Sequence, residues 1–333
     1  MKALITTTPG PADTLAMGEL PDPVAGAGQL LIAVKACSIN FPDTLIIEDK
    51  YQFRPERPFA PGGEVAGIVE AVGEGVSGFA PGDRVIAMTG HGGLAEKVAA
   101  PARNSFHLPE DRSFVDGSAL LMTYGTSIHA LVDRGRLAAG QSLLVLGAAG
   151  GVGLAAVELG KAMGARVVGA VSSEEKAARV RAAGADDAIV YPRQPFDKDA
   201  SKALAEQFKA AGGADGYHVI YDAVGGDYSA PALRSIAWEG RFLVVGFPAG
   251  IASLPLNLTL LKGCDVCGVF WGAFAMRDPA ANRAHVERLF ALWAEGSIAP
   301  PVSETFAFAD GAQAIAALAE RRAVGKLVVE VAA

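Results

Sequence analysis

A cluster of glycines directly after a short apolar run constrains the fold of this chain more than any other feature. Residues 142–146 read SLLVL, and four glycines follow within residues 147–153, at the start of a predicted helix that ends at Gly164. Glycine weakens helices, but it lets the backbone turn sharply and approach a ligand closely. The first N–H groups of a helix lack intrahelical acceptors and, with the helix dipole, favour an anion. The pattern predicts a strand, a tight turn and a helix whose start binds a diphosphate.

The chain on either side of this turn alternates between apolar strands and helical segments. Five further strands are predicted at ARVVGAV, DAIVY, YHVIYDAVG, GRFLVVGF and CDVCGVFWG, with helices between them. This order predicts a parallel sheet with helices on both faces, the doubly wound α/β class. The glycine spacing, Gly147-x-x-Gly150-x-x-Gly153, differs from the commoner G-x-G-x-x-G. The dinucleotide site is therefore predicted from the motif together with its strand–turn–helix context.

The length of 333 residues predicts two domains, because single cores rarely grow beyond about 250–300 residues. Residues 1–118 contain short alternating apolar runs broken by glycine and proline, which are typical of a small β barrel or sandwich. Residues 272–333 contain mixed helices and strands. We expect residues 1–118 and 272–333 to form a β-rich substrate domain, and residues 119–271 to form the dinucleotide-binding domain.

The residues after the second strand of the α/β segment indicate which dinucleotide binds. An NAD site is expected to carry an acid here for the ribose 2′-hydroxyl, but this chain has Val171, Ser172 and Ser173. The two hydroxyls can donate to a 2′-phosphate, and Lys176, one helical turn further, can neutralise it. Tyr191, after the third strand, can flank the same phosphate. Glu174 and Glu175 count against a phosphate here, but first-turn acids usually stabilise the helix dipole. The residues together favour NADP(H) over NAD.

Composition limits the partners of this chain. The net charge of −7 argues against nucleic-acid binding. The sequence has no basic amphipathic stretch of the kind that binds a membrane surface. The beginning of the chain lacks the apolar run of a signal peptide, so we expect a cytoplasmic protein. The CxxC letters at 264–267 lie in a predicted strand and have no second pair or clustered histidines, so we expect buried cysteines and no metal there.

Several motifs together resemble one family. They are SINFPDTL (38–45), PGGEVAGIVEAVGEGVSGFAPGDRV (61–85), TYGTSIHAL (123–131), GAAGGVGLAA (147–156), GRFLVVGF (240–247) and GKLVV (325–329). With these motifs the chain resembles the zinc-free quinone oxidoreductase branch of the medium-chain dehydrogenase/reductase superfamily, over essentially its whole length. The resemblance implies a Rossmann-type, six-stranded NADP-binding domain and a GroES-like β-rich catalytic domain.

The zinc ligands of alcohol dehydrogenases in that superfamily are a Cys, the His of a GHE triplet and a later Cys. By resemblance, these positions fall on Asn40, Gly63 and Met122. None of them is a good zinc ligand, and Glu64 alone cannot hold the metal. The stretch from residue 82 to residue 101 also lacks the cysteines of the structural zinc lobe. We therefore expect no zinc, and hydride delivery to an acceptor that needs no Lewis acid.

The resemblance also implies roles for individual residues. Asn40 is expected to contact the nicotinamide ribose region, and Tyr51 to hydrogen-bond the acceptor oxygen or to donate a proton; these two are the predicted catalytic residues. Asp43 is expected to order the loop that carries Asn40. The predicted cofactor-binding residues are Asn40, Thr126, Gly150, Gly151, Val152, Ser172, Ser173, Lys176, Tyr191, Gly246, Phe247, Phe270, Trp271 and Lys326.

The expected function is NADPH-dependent reduction of a small-molecule quinone. Two alternatives stay open: an NADPH-dependent reductase of conjugated enones, enals or enoyl thioesters, and a non-catalytic NADPH-binding protein. A retained zinc alcohol dehydrogenase would require stoichiometric metal. The last strand of the α/β sheet, within LKGCDVCGVFWG, would be an exposed apolar edge, which predicts a homodimer.

Overall fold

The structure is a computed structural model, and it describes residues 1–320 and 322–331. The chain divides into two compact units, Met1–Met122 with Pro300–Ala333, and Thr123–Ala299. None of the helices in the described part of the chain combines the length and the apolar character that a membrane crossing requires.

The first unit is rich in strands. Its elements are β1 (Lys2–Ile5), β2 (Ala16–Glu19), β3 (Gln29–Ile39), α1 (Phe41–Ile46), β4 (Glu64–Val72), β5 (Arg84–Met88), β6 (Lys97–Pro101), β7 (Ser105–His107), α2 (Phe114–Ser118), β14 (Val302–Ala307), α11 (Gly311–Ala319) and β15 (Lys326–Glu330). A seven-stranded sheet has the order β14-β15-β3-β4-β5-β7, with β6 also paired to β3, and β1 and β2 form a separate pair. This arrangement matches the β-rich domain that the alternating runs predict.

The pairing of three strands in this sheet positions the polar residues described below. Strand β15 runs antiparallel to β3, with Leu327 opposite Ile39 and Val328 opposite Ser38. Strand β3 in turn runs antiparallel to β4, with Ser38 opposite Glu64. The start of β15, the end of β3 and the start of β4 therefore meet at one edge of the unit.

The second unit alternates strands and helices. Its elements are α3 (Leu121–Ile128), β8 (Ser142–Leu146), α4 (Gly151–Ala162), β9 (Arg166–Val171), α5 (Glu174–Ala182), β10 (Asp187–Val190), α6 (Lys198–Gly212), β11 (Tyr217–Asp222), α7 (Ser229–Leu233), β12 (Ile236–Val244), α8 (Asn257–Lys262), β13 (Asp265–Gly268), α9 (Trp271–Arg277) and α10 (Pro279–Ala294). A π-helical segment, His129–Arg134, follows α3.

The sheet of the second unit has six parallel strands in the order β10-β9-β8-β11-β12-β13. The strands are added outward from β8 in one direction and from β11 in the other, so the topological switch point, where ligands bind in open α/β sheets, lies between β8 and β11. All five residues of β8 are buried, as expected for a central strand covered on both faces. The predicted doubly wound, Rossmann-type α/β fold is confirmed.

The unit boundaries differ from those expected from the sequence. Residues 272–299, assigned from the sequence to the β-rich domain, lie in the second unit. The side chains of α9 explain this difference. The indole N–H of Trp271 donates to Asn282 Oδ1 at 2.9 Å, and the Phe274 ring stacks on His129 with centroids 4.1 Å apart. These contacts hold α9 and α10 within the second unit.

Candidate active site

The turn between β8 and α4 has the predicted strand–turn–helix geometry. Gly147 follows the strand with φ +72°, and Gly150 is the N-cap of α4. A Cβ on Gly153 would lie 2.2 Å from Gly147 O, so only glycine fits against the turn there. A Cβ on Gly150 would meet nothing closer than Gly147 O at 3.5 Å. Gly153 is therefore needed for packing, whereas Gly150 leaves open space beside the start of the helix, where Gly151 and Val152 follow.

The hydroxyls of Ser127 and Tyr221, which the sequence analysis did not single out, support the first turn of α4. Ser127 Oγ donates to the carbonyl of Val152 at 2.9 Å, and it lies 2.9 Å from the hydroxyl of buried Tyr221. Thr126, the predicted cofactor residue, precedes Ser127 in α3 and is partly exposed. Contacts between α3, α4 and β11 cannot be inferred from local sequence, which is why this support was missed.

The end of β9 brings together the predicted 2′-phosphate residues. Lys176 Nζ lies 3.3 Å from Ser172 Oγ, and Ser173 Oγ accepts the backbone N–H of Lys176 as the N-cap of α5. Tyr191 follows β10, but its ring is 7% exposed and packs against Tyr228 with centroids 4.5 Å apart. Two hydroxyls and an ammonium thus form the polar group here, whereas the Tyr191 ring belongs mostly to the core.

The remaining predicted residues of this unit follow β12 and β13. Gly246 lies just after β12, and the neighbouring Phe247 ring is 53% exposed. Phe270 lies just after β13 and is 58% exposed, whereas the Trp271 indole is buried. Because all six strands are parallel, their carboxyl ends share one edge of the sheet. The loop residues predicted around the cofactor therefore lie along that edge.

Asp222, at the end of β11, organises the same edge and was not singled out from the sequence. Its Oδ1 accepts the backbone N–H groups of Val224 at 2.9 Å and Gly225 at 2.8 Å, and its Oδ2 accepts the hydroxyl of Ser229. Burial raises the pKa of Asp222, and the three hydrogen bonds oppose that shift. This carboxylate shapes the loop that follows the switch-point strand.

The first unit contains a buried polar cluster around Asn40, which we call the Asn40 cluster: Ser38, Asn40, Glu64 and Lys326. Asn40 Oδ1 accepts from Lys326 Nζ at 2.6 Å, and Asn40 Nδ2 donates to Glu64 Oε2 at 2.9 Å. The same Glu64 oxygen accepts the Ser38 hydroxyl at 2.6 Å and lies 3.2 Å from Lys326 Nζ. Glu64 is fully buried, and Lys326 is 3% exposed. The ammonium of Lys326 and the carboxylate of Glu64 therefore both contact the Asn40 amide, and both are shielded from water.

Asp43 holds the backbone beside this cluster. Its two carboxylate oxygens accept the N–H groups of Asn40 at 2.7 Å and of Gly62 at 3.1 Å. Burial raises the pKa of Asp43 to about 6, against the opposing effects of these hydrogen bonds and of Lys326. Asp43 thus orders the loop that carries Asn40, as expected from the sequence.

Tyr51, the second predicted catalytic residue, lies in the same unit and is partly buried. Burial raises the pKa of its phenol, and the charge of Asp43 raises it further. The phenol therefore carries its proton at neutral pH and holds it more tightly than an exposed tyrosine does. His91, to which the sequence assigned no role, packs against Phe53 and Phe59 with centroids 5.5 and 5.7 Å away, and burial lowers its pKa.

The positions that carry zinc ligands in the metal-dependent relatives do not offer a metal donor set. Asn40 is hydrogen-bonded to Lys326 and Glu64, Gly63 has no side chain, and Met122 contributes its backbone N–H to Glu64 Oε1 at 2.9 Å. Across residues 1–320 and 322–331, no cluster of three or more His, Cys, Asp or Glu side chains is arranged to bind a metal ion. A lysine ammonium supplies the cation beside Asn40 and Glu64.

Two domain families match the chain. The alcohol dehydrogenase GroES-like domain matches residues 26–110, and the zinc-binding dehydrogenase family matches residues 151–286. Together with the two units and the site residues, they define an oxidoreductase of the medium-chain dehydrogenase/reductase superfamily.

Individual relatives indicate which branch of this superfamily the chain belongs to. A protein from Nematostella vectensis described as a quinone oxidoreductase-like protein 2 homolog is 37% identical, covering 91% of this chain and 82% of the relative. The crystal structure of a quinone oxidoreductase from Pseudomonas syringae pv. tomato is 30% identical, with TM-score 0.89 over 99% of both chains. The Escherichia coli quinone oxidoreductase, solved in complex with NADPH, is 27% identical, with TM-score 0.88 over 99% of this chain and 100% of that chain. The chain belongs to the quinone oxidoreductase branch of the medium-chain dehydrogenase/reductase superfamily.

Proposed function

We propose that this protein is a zinc-independent, NADPH-dependent quinone oxidoreductase. The observation that carries the proposal is the Asn40 cluster, in which the ammonium of Lys326 lies 2.6 Å from Asn40 and 3.2 Å from Glu64. A zinc ion needs anionic or imidazole ligands in tetrahedral arrangement, and it would have to displace this buried ammonium. The remaining chemistry is hydride transfer to an acceptor that needs no Lewis acid.

The second unit fits NADPH. The open space at Gly150 and the start of α4 suit the diphosphate, because helix N-termini favour anions and a Cβ is absent where the backbone must come close. Ser172, Ser173 and Lys176 suit the 2′-phosphate, with an ammonium and two hydroxyls and no carboxylate on the Ser172–Ser173 turn. The NADPH complex of the Escherichia coli relative supports this assignment.

The protein's residues have two tasks in the reaction. Bound NADPH supplies the hydride, and a quinone that accepts it becomes a hydroquinone anion that needs a proton. Tyr51 is the proposed proton donor, because its phenol carries a proton at neutral pH and is only partly buried in the same unit as Asn40. Asn40 is the proposed positioning contact for the nicotinamide ribose, since its backbone and its side chain are both held by buried partners.

The decisive experiment follows NADPH oxidation by the purified protein with a panel of quinones, enals and enoyl thioesters. We expect turnover with quinones and weaker activity with the other two classes. Preference for enals or enoyl thioesters would replace the quinone assignment with an alkene reductase. Tight NADPH binding without turnover of any acceptor would identify a binding protein instead.

Zinc independence has its own test. We expect elemental analysis of the purified protein to find far less than one zinc per chain, and we expect chelator treatment to leave activity unchanged. Stoichiometric zinc, or loss of activity that added zinc restores, would contradict the proposal.

We also propose that the protein is a cytoplasmic homodimer. All three cysteines, Cys37, Cys264 and Cys267, are buried free thiols, which suits a reducing compartment. Strand β13 lies at one end of the six-stranded sheet, and Val266 is 39% exposed. An open strand edge with an apolar side chain favours pairing with a second copy across a twofold axis.

A further inference from the structure

We propose that Lys326 is a positioning residue that fixes the orientation of the Asn40 carboxamide, with Glu64 as the opposing group that makes the orientation unique. The inference deepens the proposed function and rests on it, because Asn40 matters for catalysis only if it serves the cofactor or the acceptor. It changes the expected role of Lys326, which the family resemblance assigns to the cofactor.

The chemistry of the two neighbours determines which way the amide faces. An ammonium can only donate hydrogen bonds, and an ionised carboxylate can only accept them. Lys326 Nζ lies 2.6 Å from Asn40 Oδ1, and Glu64 Oε2 lies 2.9 Å from Asn40 Nδ2. A flipped amide would place its NH₂ against the ammonium and its carbonyl against the carboxylate. Both contacts would become repulsive, so only one orientation is stable.

The two charged groups are themselves held in place. Lys326 Nζ also contacts the carbonyl of Ile39 at 3.4 Å, which with Asn40 and Glu64 gives the ammonium three acceptors. Glu64 Oε1 accepts the backbone N–H of Met122 at 2.9 Å. Each charge is therefore compensated, which a buried ion pair requires in order to persist. Water cannot compete at Lys326 or Glu64, which are 3% and 0% exposed.

The fixed amide presents one defined donor. One N–H of Asn40 is committed to Glu64, and the other has only long contacts of 3.4 Å with the backbone oxygen and the hydroxyl of Ser38. This second N–H suits a hydroxyl or carbonyl oxygen of a ligand. Without the two opposite charges of Lys326 and Glu64, the amide could rotate and present its oxygen, which cannot donate to a ligand carbonyl.

The test compares the wild type with Lys326→Met and with the double variant Lys326→Met/Glu64→Gln. The single variant leaves the Glu64 charge buried and can fail to fold. The double variant removes both charges together and keeps similar shapes. The matched control is Lys97→Met, which removes a partly exposed lysine of the same unit that lies 3.0 Å from Glu70. Selective 15N-asparagine labelling reports the exchange of the Asn40 side-chain amide protons without any acceptor.

We expect the wild type to show one Asn40 amide proton that is strongly protected from exchange. In the double variant this protection should be lost, and kcat with a quinone should fall roughly 10- to 100-fold, as misplacement of a catalytic contact does. The melting temperature and the affinity for NADPH should change much less, and Lys97→Met should leave kcat and the exchange of the Asn40 amide unchanged.

Specific results would overturn the proposal. Rapid exchange of both Asn40 amide protons in the wild type would do so even if neither variant folds. The proposal would also fail if a folded double variant kept both the exchange protection of the Asn40 amide proton and the wild-type kcat. It would fail as well if Lys97→Met lost as much kcat as the double variant. If the wild type reduces no acceptor, the proposed function fails, but the exchange measurements still decide the role of Lys326.

Discussion

At the scale of single residues, Asp43 holds two backbone segments together beside the Asn40 cluster. Its two oxygens accept backbone N–H groups from Asn40 and Gly62, two segments separated by more than twenty residues. Only 2% of Asp43 is exposed, and burial raises its pKa to about 6 from the ordinary value of 3.8. The charge that improves these hydrogen bonds is therefore costly to bury.

This raised pKa predicts a pH dependence of stability. Between the unfolded pKa near 4 and the folded pKa near 6, the native state binds more protons than the unfolded state, so stability falls as pH rises through this window. A shift of this size corresponds to about 3 kcal/mol in the free energy of unfolding. Denaturant unfolding of the wild type and Asp43→Asn between pH 3 and pH 8 measures it. The difference in the free energy of unfolding between the two proteins should change between about pH 4 and pH 6. Free energies that run parallel across this pH range would contradict the prediction.

At the scale of elements, the turn between β8 and α4 contains two glycines with different surroundings. Gly153 faces backbone, with Gly147 O 2.2 Å and Ala148 Cα 2.8 Å from an ideal Cβ. Gly150 faces open space. Glycine is thus required by packing at Gly153, whereas at Gly150 the proposed reason for glycine is room for the diphosphate.

Two alanine variants distinguish these reasons. Gly153→Ala should destabilise the protein by about 1–3 kcal/mol, because the new methyl group overlaps backbone that cannot move freely. Gly150→Ala should unfold at nearly the same temperature as the wild type, but it should bind NADPH at least about tenfold more weakly, because its methyl group occupies the space assigned to the diphosphate. Thermal unfolding and NADPH titration measure both effects. Unchanged NADPH affinity in Gly150→Ala would contradict the diphosphate assignment.

The start of α5 carries the second element-scale prediction. Lys176 Nζ lies beside Ser172 Oγ, and a charge-assisted bond to a phosphate contributes about 1.5–3 kcal/mol. Lys176→Met should therefore weaken NADPH binding roughly tenfold or more and leave NADH binding nearly unchanged. Lys198→Met, at the start of α6, is the matched control in the same unit. An equal loss of affinity for NADPH and NADH in Lys176→Met would show that Lys176 does not bind the 2′-phosphate.

At the scale of the whole molecule, the open edge at β13 carries the prediction of assembly. This strand pairs with β12, from Arg241 opposite Asp265 to Val244 opposite Gly268, and it ends the sheet order. The other end of the sheet, β10, is a strand of four residues whose side chains are all partly buried. The exposed Val266 makes β13 the edge better suited to a second copy.

Val266→Asp should shift the protein from dimer to monomer, because a buried charge at a strand interface is costly and repels its copy. Light scattering at micromolar concentration measures the change. Val24→Asp, at a valine that is 83% exposed in the other unit, is the control and should remain dimeric. A wild type that is monomeric under these conditions would contradict the dimer.

The sequence by itself determined the features that depend on neighbouring residues. Apolar strands, helix caps such as Ser173 and the glycine turn after β8 are encoded within one or two helical turns, so the α/β sheet and its strand–turn–helix motif were predictable. The boundary near residue 272 was not, because α9 is held by contacts to Gly125 and His129, which are distant in sequence.

Only the tertiary structure decided the Asn40 cluster. Glu64 and Lys326 lie 24 and 286 positions from Asn40. Nothing in the local pattern indicates that they share one buried amide. The antiparallel pairing of β15 with β3 and of β3 with β4 brings them together. Burial then turns an ordinary lysine and glutamate into the groups that determine how Asn40 faces, because water no longer competes for their hydrogen bonds.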